Sequence, residues 1–252
     1  MINLNTARER GFTLIEMSIV LIIIGLIIGG ILKGQELIES ARQKNYISQT
    51  DSVKAGVNSF IDRFRAFPGD YGSSAVCAVC VSGNGDGILQ AAAANAGAIA
   101  AINGVTGENY EFWNMLVGAG FIGGGSSSPV ATGALGFSGG TVISPLPQAA
   151  FPQSGLTVAY GTHQGGASSA GSLLANWIRA HKFASNGQVA DAQAIVAPVR
   201  ALQLDTKYDD AQPQTGRIRT SGLDTTNCGT AGTGGAYTAL TSVECDLVMA
   251  LE

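Results

Sequence analysis

The chain has 252 residues, with 14 Lys+Arg against 18 Asp+Glu, a formal net charge of −4, and 13% charged residues. A negative balance, with no basic stripe carrying interleaved aromatics, excludes a phosphate-tracking nucleic-acid binder. The 35 glycines, well above the usual ~7%, predict many turns and short elements.

Met1 to Arg10 is a short polar leader carrying Arg8 and Arg10. Phe12 to Leu32 follows as a nearly unbroken apolar run whose only charge is Glu16. At ~1.5 Å per residue its roughly 21 residues can cross a ~30 Å hydrocarbon layer. A secretory signal would have a shorter apolar region, about 7–15 residues, followed by a small-residue cleavage site. No A-x-A pattern follows this run. A plain signal anchor would share the orientation, with Arg8 and Arg10 in the cytoplasm and the rest outside, but it leaves Glu16 unexplained. A carboxylate at this depth costs roughly 2.5–3.5 kcal/mol on insertion scales. Nothing nearby in the helix is expected to pair with it, so its partner is expected on a second subunit.

The basic leader, Gly11-Phe12-Thr13-Leu14-Ile15-Glu16 and the apolar run, in that order, resemble the prepilin signal of type IV pilins and type II secretion pseudopilins. The resemblance implies that a membrane prepilin peptidase cuts between Gly11 and Phe12 on the cytoplasmic side and methylates the new Phe12 amine. It also implies that the apolar helix becomes the core of a filament, in which Glu16 meets a neighbour's N-terminal amine. Gly25 and Gly29 form G-x-x-x-G, a spacing that lets membrane helices approach closely. Gly25 matches a glycine found in the family where the helix loosens in filaments. Lys33 stands where many members carry a proline, so any local unwinding would rest on glycine alone.

Val53, Val57, Phe60, Ile61 and Phe64 recur at helical spacing and predict one apolar stripe, extended less regularly by Leu37, Ile38, Ala41 and Ile47. Phe67-Pro68-Gly69 should end the helix, because proline disfavours helix in the preceding residue. The expectation is one helix from about Phe12 to Ala66, roughly 80 Å long. Its first half is apolar all round and its second half on one side only. A free coiled coil would need a sustained heptad, which is missing.

The remaining chain, 67–252, is expected to form one globular head. Helices are predicted over Glu108 to Val117, over Ser172 to Phe183 with Leu173, Leu174, Trp177 and Ile178 inward, and over Val189 to Leu204, where Pro198 would kink the helix or mark its first turn. Strands are predicted at Thr141 to Leu146, Leu156 to Thr162, Gly216 to Thr220 and within Ala236 to Leu251. Residues 123–128 and 165–169 read as Gly/Ser loops. The absence of regular alternation points to an antiparallel sheet. The fold class is therefore α+β, in agreement with the pilin fold that the resemblance implies. No acidic residue occurs from Phe112 to Ala190, which fits subunits packed against one another or, as the alternative, a low-charge extracellular protein.

Further signposts resemble a group of pilin-like proteins. They are Phe67-Pro68-Gly69-Asp70-Tyr71, Gly83-Asn84-Gly85-Asp86-Gly87, Phe112-Trp113 with Ala119-Gly120, and Leu204-Asp205 through Asp209-Asp210 to Thr215-Gly216. A glycine usually follows the paired aspartates in that group. Ala211 stands there instead, which leaves a tight turn with positive φ less expected.

Four cysteines lie outside the membrane by this topology, where disulfides form. Of three possible connectivities, Cys77–Cys80 with Cys228–Cys245 is favoured. The second closes a loop of about 17 residues worth ~3 kcal/mol, and a C-terminal disulfide-bounded loop is usual in pilins. The C-x-x-C spacing lacks the second pair of ligands that zinc needs and the βαβ context of a redox motif. Calcium is the one cofactor to consider, with Asn84 and Asp86 in a glycine-rich turn and Asp205, Asp209 and Asp210 clustered later. Asx-rich turns without metal are the default.

Two catalytic-looking matches lack their context. Gly118 to Gly123 fits G-x-G-x-x-G but follows an expected helix, and the segment after it, up to Ala190, holds no acid where the motif needs one about 20 positions on. Gly136 to Gly140 fits G-x-S-x-G, yet no acid lies between Ser138 and either His163 or His181. His163 is read as a loop residue and His181 as a helix-end residue. The resulting expectation is a structural subunit and not an enzyme. Its domains are a leader at 1–11, a membrane or filament-core helix at 12–32, its amphipathic continuation at 33–66, and a periplasmic or extracellular head at 67–252. Its expected partners are the peptidase/N-methyltransferase, other pilin copies, and an inner-membrane assembly platform. A secretion pseudopilin is the alternative, and a non-polymerising membrane-anchored binding or adhesive domain a more distant one.

Overall fold

The structure is a computed structural model that describes residues 12–77, 80, 82–89, 108–123, 136–138, 141–143, 147–152, 154–162, 174–182, 194–220, 228–229, 235–239 and 245–251. The leader, most of the two Gly/Ser loops, Leu173, His163, and the first part of the helix expected from Val189 lie outside the described residues. The chain forms two compact units, Met1–Lys44 and Asn45–Glu252.

Helix α1 runs over Leu14–Phe64. Its sequence contains no proline, and it stays α-helical through Gly25, Gly29, Gly30 and Lys33. Within the second unit its buried positions are Tyr46, Thr50, Val53, Gly56, Val57 and Phe60, a stripe at three- and four-residue steps. Ile47, Ile61 and Phe64 pack against the same core, whereas Leu37 and Ile38 are exposed. Phe60 anchors an aromatic cluster, with its ring 4.4 Å from Phe64 and 6.2 Å from both Tyr71 and Phe121. The helix stops before Pro68. Arg65 takes a left-handed conformation (φ 59°), and its N–H donates to the Ile61 carbonyl at 2.8 Å, the αL way of closing a C-terminus.

Pro68-Gly69 turns the chain so closely under the next helix that only glycine fits. A Cβ on Gly69 would stand 2.3 Å from the Glu108 carbonyl oxygen, and its φ is +91°. That next helix, α2, spans Glu108–Gly118 and buries Phe112, Trp113, Met115 and Leu116.

Strands β1 (Gly136–Ser138) and β2 (Thr141–Ile143) form an antiparallel hairpin. The main sheet comprises β3 (Ser154–Thr162), β4 (Leu174–Lys182), β5 (Ile218–Arg219) and β6 (Leu247–Ala250). Its order is β3-β4-β6-β5 and every pairing is antiparallel. Alternation divides its side chains. Leu156, Val158, Ile178, Ala180, Ile218, Leu247 and Met249 enter the core shared with α1 and α2, while Ala175, Trp177, Val248 and Ala250 cluster on the other face. On that second face the Arg219 guanidinium lies 5.1 Å from the Trp177 ring, and Arg179 pairs with Asp246 at 2.6 Å, both side chains buried.

Three expectations are corrected. The segment expected as a helix over Ser172 to Phe183 is strand β4, and His181 therefore sits on a strand paired with Gly155, not at a helix end. Residues 175–180 are all buried, because a central strand is covered on both faces. That cover erases the period-two signal. The helix expected from Val189 instead begins at Pro198 and runs to Tyr208 as α3. Pro198 occupies the first helical position, where its missing N–H costs nothing, and Ala197 before it is extended. Within Ala236 to Leu251 the described residues hold β6, with Tyr237 and Cys245 in isolated bridges to Gly229 and Val196, and residues 240–244 lie outside the described residues. The α+β class, with a long first helix and an antiparallel sheet, is the pilin-like arrangement expected.

Candidate functional site

Thr13 and Glu16 begin α1 with a reciprocal cap. The Thr13 N–H and hydroxyl both donate to Glu16 Oε2 at 2.8 Å, and the Glu16 N–H donates back to Thr13 Oγ1 at 3.3 Å. This T-x-x-E capping box satisfies N–H groups that a helix start leaves without partners. It gives Glu16 hydrogen-bond partners within its own chain. The box supplies hydrogen bonds but no positive charge, and among the described residues no cation pairs with Glu16. Around it the helix is a sleeve of exposed apolar side chains, with Leu14 at 87%, Leu21 at 70% and Leu26 at 73% exposure. Gly25 and Gly29 leave open space where a Cβ would stand. Polar pairing starts beyond this sleeve, at Lys33–Glu36 and Glu39–Arg42. Phe12 stands two residues before the helix, exposed, and Gly11 lies outside the described residues.

Among the described residues the head holds two acidic groups. In the first, Asp70, Asp86 and Glu108 each offer an oxygen within 4.8 Å of the others. Asp70, 2% exposed, has its carboxylate fully engaged. Oδ1 accepts from the N–H groups of Gly85 and Asp86, and Oδ2 from that of Gly87, at 2.6, 3.1 and 2.7 Å. Glu108 accepts from the Asn84 N–H at 3.0 Å, and Asn84 bonds Asp86 through its own side chain. The loop is then tied to the sheet by Asn176 on β4, which bonds Leu89 N–H and Gly87 O at 3.1 Å each. Asn84 and Asp86 were legible as an Asx turn. Asp70, the residue that organises them, was not, since its partners lie 15–17 positions away.

In the second group, Asp205, Asp209 and Asp210 also converge within 4.8 Å. Asp205 on α3 is wholly buried. Its Oδ2 accepts from the Tyr237 hydroxyl at 2.8 Å, and its Oδ1 has no hydrogen-bond partner. Burial pushes the Asp205 carboxyl up to about 7, and the neighbouring Asp210 and Asp209 charges add to the rise. Asp209 Oδ2 accepts from the N–H groups of Arg217 and Ile218. Asp210 accepts from the Gln212 N–H and the Thr215 hydroxyl. Gly216 (φ +69°) is pressed against Asp209, where a Cβ would overlap the carboxylate. The turn keeps a positive φ of 63° at Ala211, although alanine in the place of the usual glycine made positive φ less expected there. The hydrogen bonds of Asp209 and Asp210 over-determine the backbone on either side of it.

Both disulfides join the expected partners, Cys77 to Cys80 and Cys228 to Cys245. The G-x-G-x-x-G match begins at Gly118, the last residue of α2, and the G-x-S-x-G match begins in the β1–β2 hairpin.

The prokaryotic N-terminal methylation motif matches residues 6–32. That span contains the Gly11–Phe12 junction, the Thr13–Glu16 box and the apolar sleeve, and the motif is characteristic of type IV pilins and pseudopilins. No curated protein and no solved structure matches the chain significantly. The motif supports a type IV pilin- or pseudopilin-like protein. With α1 long and apolar enough to cross a membrane, it fits a membrane-anchored precursor.

Proposed function

We propose that this chain is a structural subunit of a type IV pilus-type filament. The precursor sits in the inner membrane with residues 1–11 in the cytoplasm and the head, 67–252, on the far side. Prepilin peptidase cuts after Gly11 and the Phe12 amine is methylated. The subunit then leaves the membrane through an assembly platform and stacks its apolar helix against those of other pilins. Its role is mechanical, not catalytic.

The observation that carries this proposal is the position of Glu16. It is the only charge in the apolar run, held by Thr13 at the start of α1 and close to the amine that cleavage would create. In a filament core the Glu16 carboxylate pairs with the Phe12 amine of a neighbour. Low dielectric strengthens that attraction and desolvation offsets much of the gain, so the pair sets alignment more than overall stability.

The test is co-expression with a prepilin peptidase, followed by intact-mass and N-terminal analysis. The mature chain should begin at N-methylated Phe12, and Gly11→Val should accumulate as uncut precursor. Cleavage at another bond, or none in the presence of an active peptidase, would overturn the proposal.

A further inference from the structure

The C-x-x-C pair has no part in filament assembly as proposed above. Cys77–Cys80 closes a ring of only three positions, inside a segment whose two ends are joined without it. The Gly83 N–H donates to the Tyr71 carbonyl at 3.0 Å, and the Gly85 N–H lies 3.2 Å from the Asp70 carbonyl. The Asp70 carboxylate holds the N–H groups of Gly85, Asp86 and Gly87. Gly83 lies so near Asp70 that a Cβ on it would stand 2.4 Å from the Asp70 Cα. These contacts fix the base of the segment, and opening the disulfide leaves that base closed. Cys228–Cys245 is placed differently, spanning 17 positions with both members buried.

The two cysteines of the short ring are not equivalent. Cys80 is 5% exposed and belongs to the core. Cys77 is only partly buried and follows a single 3-10 turn, Ser74–Val76. Ser73 caps that turn by accepting the Ala75 N–H at 3.3 Å, and Ala75 is exposed. Cys77 also rests on the last residue of α2, since a Cβ on Gly118 would stand 2.6 Å from the Cys77 Cβ. Thiol–disulfide exchange needs one sulfur open to attack and a second that leaves. Cys77 supplies the first and Cys80 the second.

We infer that Cys77–Cys80 is a redox switch in the head, opened by a dithiol while Cys228–Cys245 stays oxidised. A thiolate of the dithiol attacks Cys77 Sγ. The Cys77–Cys80 bond breaks, a mixed disulfide forms, and Cys80 leaves as a thiolate that takes up a proton. The second thiol of the reductant then loses its proton and attacks the reductant's own sulfur in the mixed disulfide. Cys77 leaves as the second protein thiol, and the dithiol ends as a disulfide. Two electrons and two protons have passed from the dithiol to the pair. The pair is a substrate of this exchange and not a thioredoxin-like catalyst, because no βαβ unit surrounds it among the described residues. The consequence is local. The reduced 72–82 segment loses its ring against α2, while the Asp70 loop and the sheet keep their bonds.

Full-length protein in detergent is incubated with increasing dithiothreitol, quenched with iodoacetamide and digested for peptide mass analysis. Cys77 and Cys80 should become labelled at a dithiothreitol concentration at least tenfold below that which exposes Cys228 and Cys245. Elastase, which cuts after residues such as Ala75 and Val76, should then cleave within 72–82 in the partly reduced protein and not in the oxidised one. Single variants read the asymmetry. Cys80→Ser leaves Cys77 as a free thiol and should react with dithionitrobenzoate at least ten times faster than Cys77→Ser, which leaves Cys80. If either variant does not fold, labelling of the wild-type chain decides, because it needs no substitution. Reduction of both disulfides together, or of Cys228–Cys245 first, would overturn the switch. So would an unchanged elastase pattern or a faster Cys80 thiol. Cleavage after Gly11 is read separately by mass, so failure here leaves the processing proposal standing.

Discussion

Thr13 closes on Glu16 across the first turn of α1, its amide and its hydroxyl both donating to Glu16 Oε2 at 2.8 Å. The carboxylate proposed to register one subunit against the next is therefore already oriented within its own chain. Losing an N-cap hydroxyl costs about 1 kcal/mol. Thr13→Ser should keep normal filament yield, and Thr13→Ala should lower it. Glu16→Ala should leave the protein in the membrane but give few or no filaments. Sheared-filament yield at equal membrane levels checks all three. Wild-type yield from Glu16→Ala would refute the registration role, and wild-type yield from Thr13→Ala would refute the positioning role.

Asp70 should be the costly residue of its loop. It is buried and holds three N–H groups, whereas Asp86 is exposed. Water can replace part of what Asp70 provides, so Asp70→Ala should destabilise the head by roughly 2–4 kcal/mol and Asp86→Ala by less than about 1 kcal/mol. Urea midpoints measure both. Limited proteolysis should show the 82–89 segment opening first in Asp70→Ala.

Among the described residues, the non-glycine residues Arg65 and Ala211 hold a left-handed backbone with φ of 59° and 63°. An L-residue costs about 1–2 kcal/mol there, and glycine gives some of that back through its freer unfolded chain. Arg65→Gly and Ala211→Gly should each stabilise the protein by roughly 0.5–1 kcal/mol. A lowered urea midpoint for Ala211→Gly would show that the turn relaxes when the side chain is removed.

The two disulfides should differ in weight. Cys228–Cys245 spans 17 positions and Cys77–Cys80 only three. Loop-closure entropy assigns about 3 kcal/mol to the first and roughly half that to the second. The double serine variant at 228 and 245 should lose the larger share of Tm, and should also loosen Tyr237 from Asp205. Equal losses would mean that strain or unfolded-state structure dominates over loop length.

The N-terminal signal, α1 and α2 were legible in the residues because they rest on local order: a junction, an apolar run, a helical stripe, and a proline that ends it. The disulfide partners were legible as well, since the favoured pairs are close in the chain. The Thr13–Glu16 box was open to view as T-x-x-E, but Glu16 had been assigned only to a neighbour. Strand β4 was hidden, because burial on both faces removes the alternation that marks a strand. The pairing of β6 with both β4 and β5, the service of Asp70 to a loop more than a dozen positions away, and the convergence of Tyr237 on Asp205 have no local signature. These depend on chain segments that meet only after folding, when packing and desolvation choose among contacts that local propensity leaves equal.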